Sequence, residues 1–89
     1  MPKLEKHFQD TQYLKALGAH CKNLRKKAGF TINRMSDKGV RLSPSVVFRL
    51  ESGEGPVTVL VLLRYAHVLN LHPKKLLDFA FDTEHLDEL

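Results

Sequence analysis

Ser43-Pro44-Ser45-Val46-Val47-Phe48-Arg49-Leu50-Glu51-Ser52-Gly53 reads as one short helix with both of its ends written into the chain. The Ser43 hydroxyl suits an N-cap, and Pro44 suits the first helical position, where no backbone donor is needed. Gly53 supplies the left-handed residue that closes a helix. Helical spacing puts Val47 and Leu50 on one face, with Val46 beside them, and Ser45, Phe48, Arg49 and Ser52 on the other. A helix this short does not hold itself together in water, so it must pack on others. Its outer face is then presented to something.

Working outward, Thr31 caps a second short helix, Ile32 to Lys38, with Ile32 and Met35 facing inward. Gly39 ends it, and Val40-Arg41-Leu42 forms a tight turn anchored by Val40 and Leu42. Upstream, Thr11 is expected to cap a long helix reaching Ala28, closed by Gly29. Leu14, Leu17, Cys21, Leu24 and Ala28 recur there at steps of three and four, which is one buried stripe. Downstream, Glu54-Gly55-Pro56 is a loop, and Thr58 caps a helix from Val59 to Leu69. Its expected core side is Val59, Leu62, Leu63, Ala66 and Leu69, and Asn70 ends it. Leu60 and Val61 fall partly outside that stripe, as a partner surface would. A fifth helix starts near Pro73 and uses Leu76 and Leu77, with Phe79 and Phe81 following. The expected organisation is an all-α, compact five-helix domain over residues 11–79, with a polar arm at 1–10 and an acidic tail at 80–89 that carries Leu86.

The totals agree with one small folded domain. Of 89 residues, 43% are apolar and 27% charged, which argues against disorder. The longest apolar run, Val57 to Leu63, is interrupted by Thr58 and is too short to span a bilayer. No secretory leader opens the chain, and a single cysteine allows no intrachain disulfide, so a cytoplasmic location with no membrane contact is expected. The net charge of +4 is unevenly spread. Residues 1–50 carry eleven Lys/Arg against three Asp/Glu, and residues 51–89 carry three against seven. A basic half beside an acidic one fits a face for an anion, or two solvated surfaces of opposite sign. The five histidines do not cluster, no Cys/His pair has zinc spacing, and no nucleophile has a base beside it. No metal, cofactor or catalytic residue is expected, and the chain does not read as an enzyme.

Two short capped helices joined by a tight turn make a helix-turn-helix, whose second helix can enter a DNA major groove. With this in place, the chain resembles the lambda-repressor-like domains, the Cro/CI or Xre type of bacterial and phage regulators. Gly18 with Cys21, Leu24 and Arg25 is similar to that family's first helix. Gly29-Phe30-Thr31 resembles its entry to the second helix, and Met35-Ser36 stands where Leu-Ala is usual. Ser43 to Gly53 is similar to its Ser-x-Ser-x-Ile-Ser-Arg-Ile-Glu-x-Gly, and Thr58 to Leu77 to its closing helices. Three departures stand out. The turn before Ser43 is one residue longer, Ile32 replaces a usual polar residue, and Pro44, Val46 and Phe48 make the recognition face apolar.

The resemblance implies a third helix that reads double-stranded DNA, and an ion pair between Arg25 and Glu51 that ties it to the first helix. Without that tie these are two unrelated surface charges. Base-facing positions are then Ser45 and Phe48, with hydrogen-bond readout falling on Ser45, Arg49 and Arg41, Phe48 and Val46 suited to thymine methyl groups, and Pro44 on the same apolar face. Arg34, Lys38, Arg41 and Arg49 are expected at phosphates, with the amide ends at Thr31 and Ser43. Phe48 has two other uses, a place in the core or in a dimer seam, and the basic residues one, a solvated surface. The functional expectation is a regulator, a repressor, that binds an operator as a homodimer, with Leu60, Val61, Phe79, Phe81 and Leu86 as the dimer surface. The alternative is a protein-interaction module that docks a protein partner on the apolar third helix.

Overall fold

The computed structural model describes residues 10–36 and 39–81. Among the described residues four α-helices follow one another: α1 (Asp10–Lys27), α2 (Ile32–Ser36), α3 (Pro44–Ser52) and α4 (Val59–Val68). A 3-10 helix, Pro73–Leu77, completes them, and no strand occurs among the described residues. α3 packs on α1 and on α2, and the 3-10 helix joins α4 to α1. The core they enclose draws Leu17 and Cys21 from α1, Met35 from α2, Leu42 from the turn and Val47 and Leu50 from α3. From the closing elements it takes Tyr65, Ala66, Val68, Leu69 and Leu76. Burial pushes the Cys21 thiol up to about 12, with the Glu51 charge adding to it, so this cysteine is an unreactive core residue.

Helix ends follow local chemistry closely. The Ser43 Oγ accepts the Val46 N–H at 3.3 Å, the Thr58 Oγ1 accepts the Val61 N–H at 3.2 Å, and Pro44 opens α3. At the far end of α3, Gly53 adopts φ 76°, its N–H bonds to the Leu50 carbonyl, and the Glu54 N–H reaches the Arg49 carbonyl. Asn70, at φ 58°, closes α4 in the same manner through His67 and Ala66.

Four expectations are corrected. α1 begins at Asp10, not after a Thr11 cap: the Asp10 carboxylate accepts the Thr11 N–H at 2.8 Å and puts an acid at the positive end of the helix. Ala28 is exposed, because α1 stops at Lys27 and the chain is already turning away. α4 is rotated relative to the expected stripe. Val59 and Leu63, assigned to the core, are 71% and 43% exposed, and Tyr65 and Val68 are buried instead. The fifth helix is a single 3-10 turn in which Leu76 is buried and Leu77 exposed, since one buried anchor cannot sustain an α-helix. The packed part of the chain also runs past residue 79, because Tyr13 meets the Phe79 ring at 5.2 Å and the Phe81 ring at 5.0 Å. Leu86 and residues 1–9 of the arm lie outside the described residues, while Asp10, counted with the arm, belongs to α1.

A buried charge network holds α3 in place. Arg25 donates from Nε to Glu51 Oε2 at 2.7 Å and from its Nη2 to Oε1 at 2.9 Å, a two-pronged grip from α1 onto α3. Its Nη1 donates to the Phe30 carbonyl at 2.7 Å and so also fixes the approach to α2. The bond to Glu51 is the main reason the Arg25 guanidinium holds its proton more tightly than usual. Tyr65 of α4 completes the group, its hydroxyl 2.6 Å from Glu51 Oε2 and 2.9 Å from the Cys21 carbonyl.

Two stability predictions follow from this packing. A Cβ at Gly18 would lie 2.5 Å from the backbone oxygens of Leu50 and Glu51, so Gly18→Ala must push α1 and α3 apart. Urea unfolding should show a loss of about 1–3 kcal/mol; an unchanged midpoint would mean the helices are not in close contact. Arg25→Met strands the Glu51 carboxylate and should cost about 3–5 kcal/mol, whereas Arg25→Met with Glu51→Met should recover most of that loss. Equal losses in the single and double variants would contradict a buried pair.

Candidate nucleic-acid interface

The exposed side of the helix-turn-helix starts at Thr31. Its Oγ1 accepts the Arg34 N–H at 3.2 Å and its carbonyl accepts the Met35 N–H, which starts α2. Arg34 is exposed, with its guanidinium carbon 5.6 Å from the Phe30 ring centre, a cation–π distance. In the turn, Val40 is half-buried and Leu42 buried, which leaves Arg41 between them pointing outward. The Leu42 N–H bonds to the Val40 carbonyl at 2.9 Å, and the Arg64 guanidinium donates to the Arg41 carbonyl at 3.2 Å. Arg64, on α4, therefore braces the turn that feeds α3.

On α3 and its cap, Ser43, Pro44, Ser45, Phe48 and Arg49 are exposed and Val46 is half-buried. The Ser43 and Ser45 hydroxyls are 3.3 Å apart. Ser52 turns its hydroxyl back onto the Phe48 carbonyl at 2.7 Å. Phe48 is 56% exposed, so it does not fold into the core. Among the described residues, no carboxylate pairs with Arg34, Arg41 or Arg49. Three guanidinium groups with no acidic partner among the described residues thus accompany a helix face that carries a hydroxyl and an aromatic ring. Guanidinium groups grip phosphate oxygens or guanine edges, and apolar side chains contact thymine methyl groups. Lys38 lies outside the described residues.

The residues expected at a dimer surface separate. Leu60 is 57% exposed. Val61 is half-buried and lines a groove with Val46, Arg49, Leu50, Val57 and Thr58. Phe79 and Phe81 are engaged by Tyr13 within the same chain, and Phe79 also lies 5.4 Å from the His20 ring. His20 is bonded to the Lys75 carbonyl at 2.8 Å. The large exposed apolar side chains of α4 are instead Val59, Leu60 and Leu63, followed by Leu77 beyond it.

Two residues of this region were missed in reading the chain, Tyr65 and Arg64. Tyr65 lies three residues after Leu62 and four before Leu69, so it had core spacing. Arg64 gave no local signal, since its partner is a backbone oxygen 23 residues away.

A helix-turn-helix family model, of the Cro/CI and Xre type, matches residues 22–76. No curated protein and no solved structure gives a significant match. The matched span begins within α1 and runs through α2, the turn, α3 and α4 into the 3-10 helix. It takes in most of the chain, including Arg25, Glu51 and the exposed face of α3. The chain belongs to the Cro/CI and Xre-type helix-turn-helix family of DNA-binding transcription regulators.

Proposed function

We propose that the protein is a repressor that binds an operator as a homodimer, with α3 as its recognition helix in the major groove. The observation that carries this reading is the division of α3. Val47 and Leu50 are buried, while Ser45, Phe48 and Arg49 face outward beside guanidinium groups with no acidic partner among the described residues. Ser45 and Arg49 then read base edges, and Phe48 with Val46 contacts thymine methyl groups. Arg34, Arg41 and Lys38, with the helix starts at Thr31 and Ser43, hold the phosphates and set the register. A module of this size makes few base contacts alone, so two copies on a palindrome, about one helical turn apart, supply the specificity. Leu60, with Val59 and Leu63, is the surface assigned to the second copy. The cytoplasm is the compartment where such a protein meets its DNA.

A second reading rests on the exposure of Phe48: the apolar centre of α3 docks a protein partner and DNA binding is weak. Salt separates the two. Contacts to phosphates release counterions and weaken steeply as salt rises, whereas an apolar protein contact changes little.

Fluorescence anisotropy with a duplex from the chain's own upstream region, against a scrambled duplex, tests the operator reading. Preferential binding that weakens with salt is expected, and Arg49→Ala should remove about 1–3 kcal/mol of it. Equal, weak binding to both duplexes would favour the protein-docking reading. Analytical ultracentrifugation at micromolar concentration should show a dimer that Leu60→Glu dissociates. A protein that stays monomeric both free and on DNA would refute the dimer.

A further inference from the structure

Tyr65 is the largest fully buried side chain among the described residues, and it carries a polar end into the interior. Its hydroxyl faces two acceptors, Glu51 Oε2 on α3 at 2.6 Å and the Cys21 carbonyl on α1 at 2.9 Å. A phenol has one proton to donate. The carboxylate is the nearer acceptor and, being charged, the stronger, so the proton goes to Glu51. Burial first, and then Glu51, push the ionisation of the phenol upward, so the donor persists throughout the neutral range.

Arg25 and Tyr65 therefore hold one carboxylate from two different helices. The paired bonds of Arg25 stop the carboxylate from sliding but leave it free to hinge about the pair. A third bond, arriving from α4, restrains that hinge. Glu51 stands three residues after Phe48 and two after Arg49, so whatever fixes its carboxylate also fixes the rotation of α3 about its own axis.

We infer that Tyr65 is a positioning residue for DNA recognition: acting through Glu51, its hydroxyl orients α3 and thereby sets operator affinity and selectivity. The inference rests on the operator reading above. Tyr65→Phe tests it, because the ring that fills the core stays and only the hydroxyl is lost. The full chain is measured at a temperature where circular dichroism shows the variant fully folded. Anisotropy should then give a loss of roughly tenfold in affinity for the upstream duplex. Affinity for the scrambled duplex and the salt slope should not change, because the phosphate contacts remain.

A second comparison isolates the route. In the Arg25→Met, Glu51→Met background, Tyr65→Phe should cost no further operator affinity, since there is no carboxylate left to orient. An equal loss in both backgrounds would make the hydroxyl a packing feature and overturn the inference. So would a folded Tyr65→Phe variant with wild-type selectivity, or a variant that does not fold at any temperature. If the wild-type protein itself shows no preference for the upstream duplex, the operator reading falls and takes this role with it. If the wild type discriminates and the variant matches it, only the role of Tyr65 falls.

Discussion

A guanidinium and a carboxylate held together out of water set the geometry of this domain. Taking Arg25 and Glu51 out of solvent is costly, and their attraction offsets that cost only when bond geometry is good and the remaining donors and acceptors are satisfied. Here they are. All three nitrogens of the Arg25 guanidinium donate, two to Glu51 and one to the Phe30 carbonyl. Glu51 Oε2 accepts a further bond from Tyr65. A pair of this kind is weak evidence for stability, and its stronger effect is on orientation. It joins the end of α1, the entry to α2, α3 and α4 at one point.

With Glu51 held inside, the rest of α3 has little freedom. Gly18 lets α1 come close enough that its position would touch the Leu50 and Glu51 oxygens if it bore a side chain. Val47 and Leu50 fill the gap below. What remains outward is Ser45, Phe48 and Arg49, and this is a consequence of the interior rather than a separate feature. The Arg41 backbone, braced by Arg64, controls where the chain enters α3, and the Ser43 cap and Pro44 control its first turn. The candidate DNA surface therefore rests on supports that are buried or bonded, while Phe48 and Arg49 themselves stay exposed.

The features that were legible in the chain are those whose physics is local. A serine or threonine that caps a helix does so within three residues, and Ser43, Thr58 and Thr31 all do. Gly53 and Asn70 end their helices for equally local reasons. α4 was misread because Val59 to Leu63 is apolar on every side, so its periodicity carries no phase. The phase is set by Tyr65, whose partners lie 14 and 44 residues away. The same holds at Phe79 and Phe81. They look like free apolar side chains until Tyr13, more than sixty residues earlier, is brought beside them. On the candidate DNA face, exposure of the arginines was readable and the resemblance supplied the Arg25–Glu51 pair, but the Arg64 brace and the Tyr65 bond behind α3 were not legible.

The rotation of α4 has a consequence on its other side. Turning Tyr65 and Val68 inward turns Val59, Leu60 and Leu63 outward, and three large apolar side chains on one short helix are costly to leave in water. A helix free to choose its own most buried arrangement would hide them. It cannot, because the Tyr65 hydroxyl is tied to Glu51. In the dimer reading the exposed side chains are covered by a second copy, and the conflict is resolved across the interface. In that reading α4, ten residues long, has two roles: its inner side holds Glu51 of α3 through Tyr65, and its outer side carries the surface assigned to the partner. The spacing and angle of two recognition helices would thus be set by one rigid helix in each copy, which is the geometric requirement for reading a palindrome.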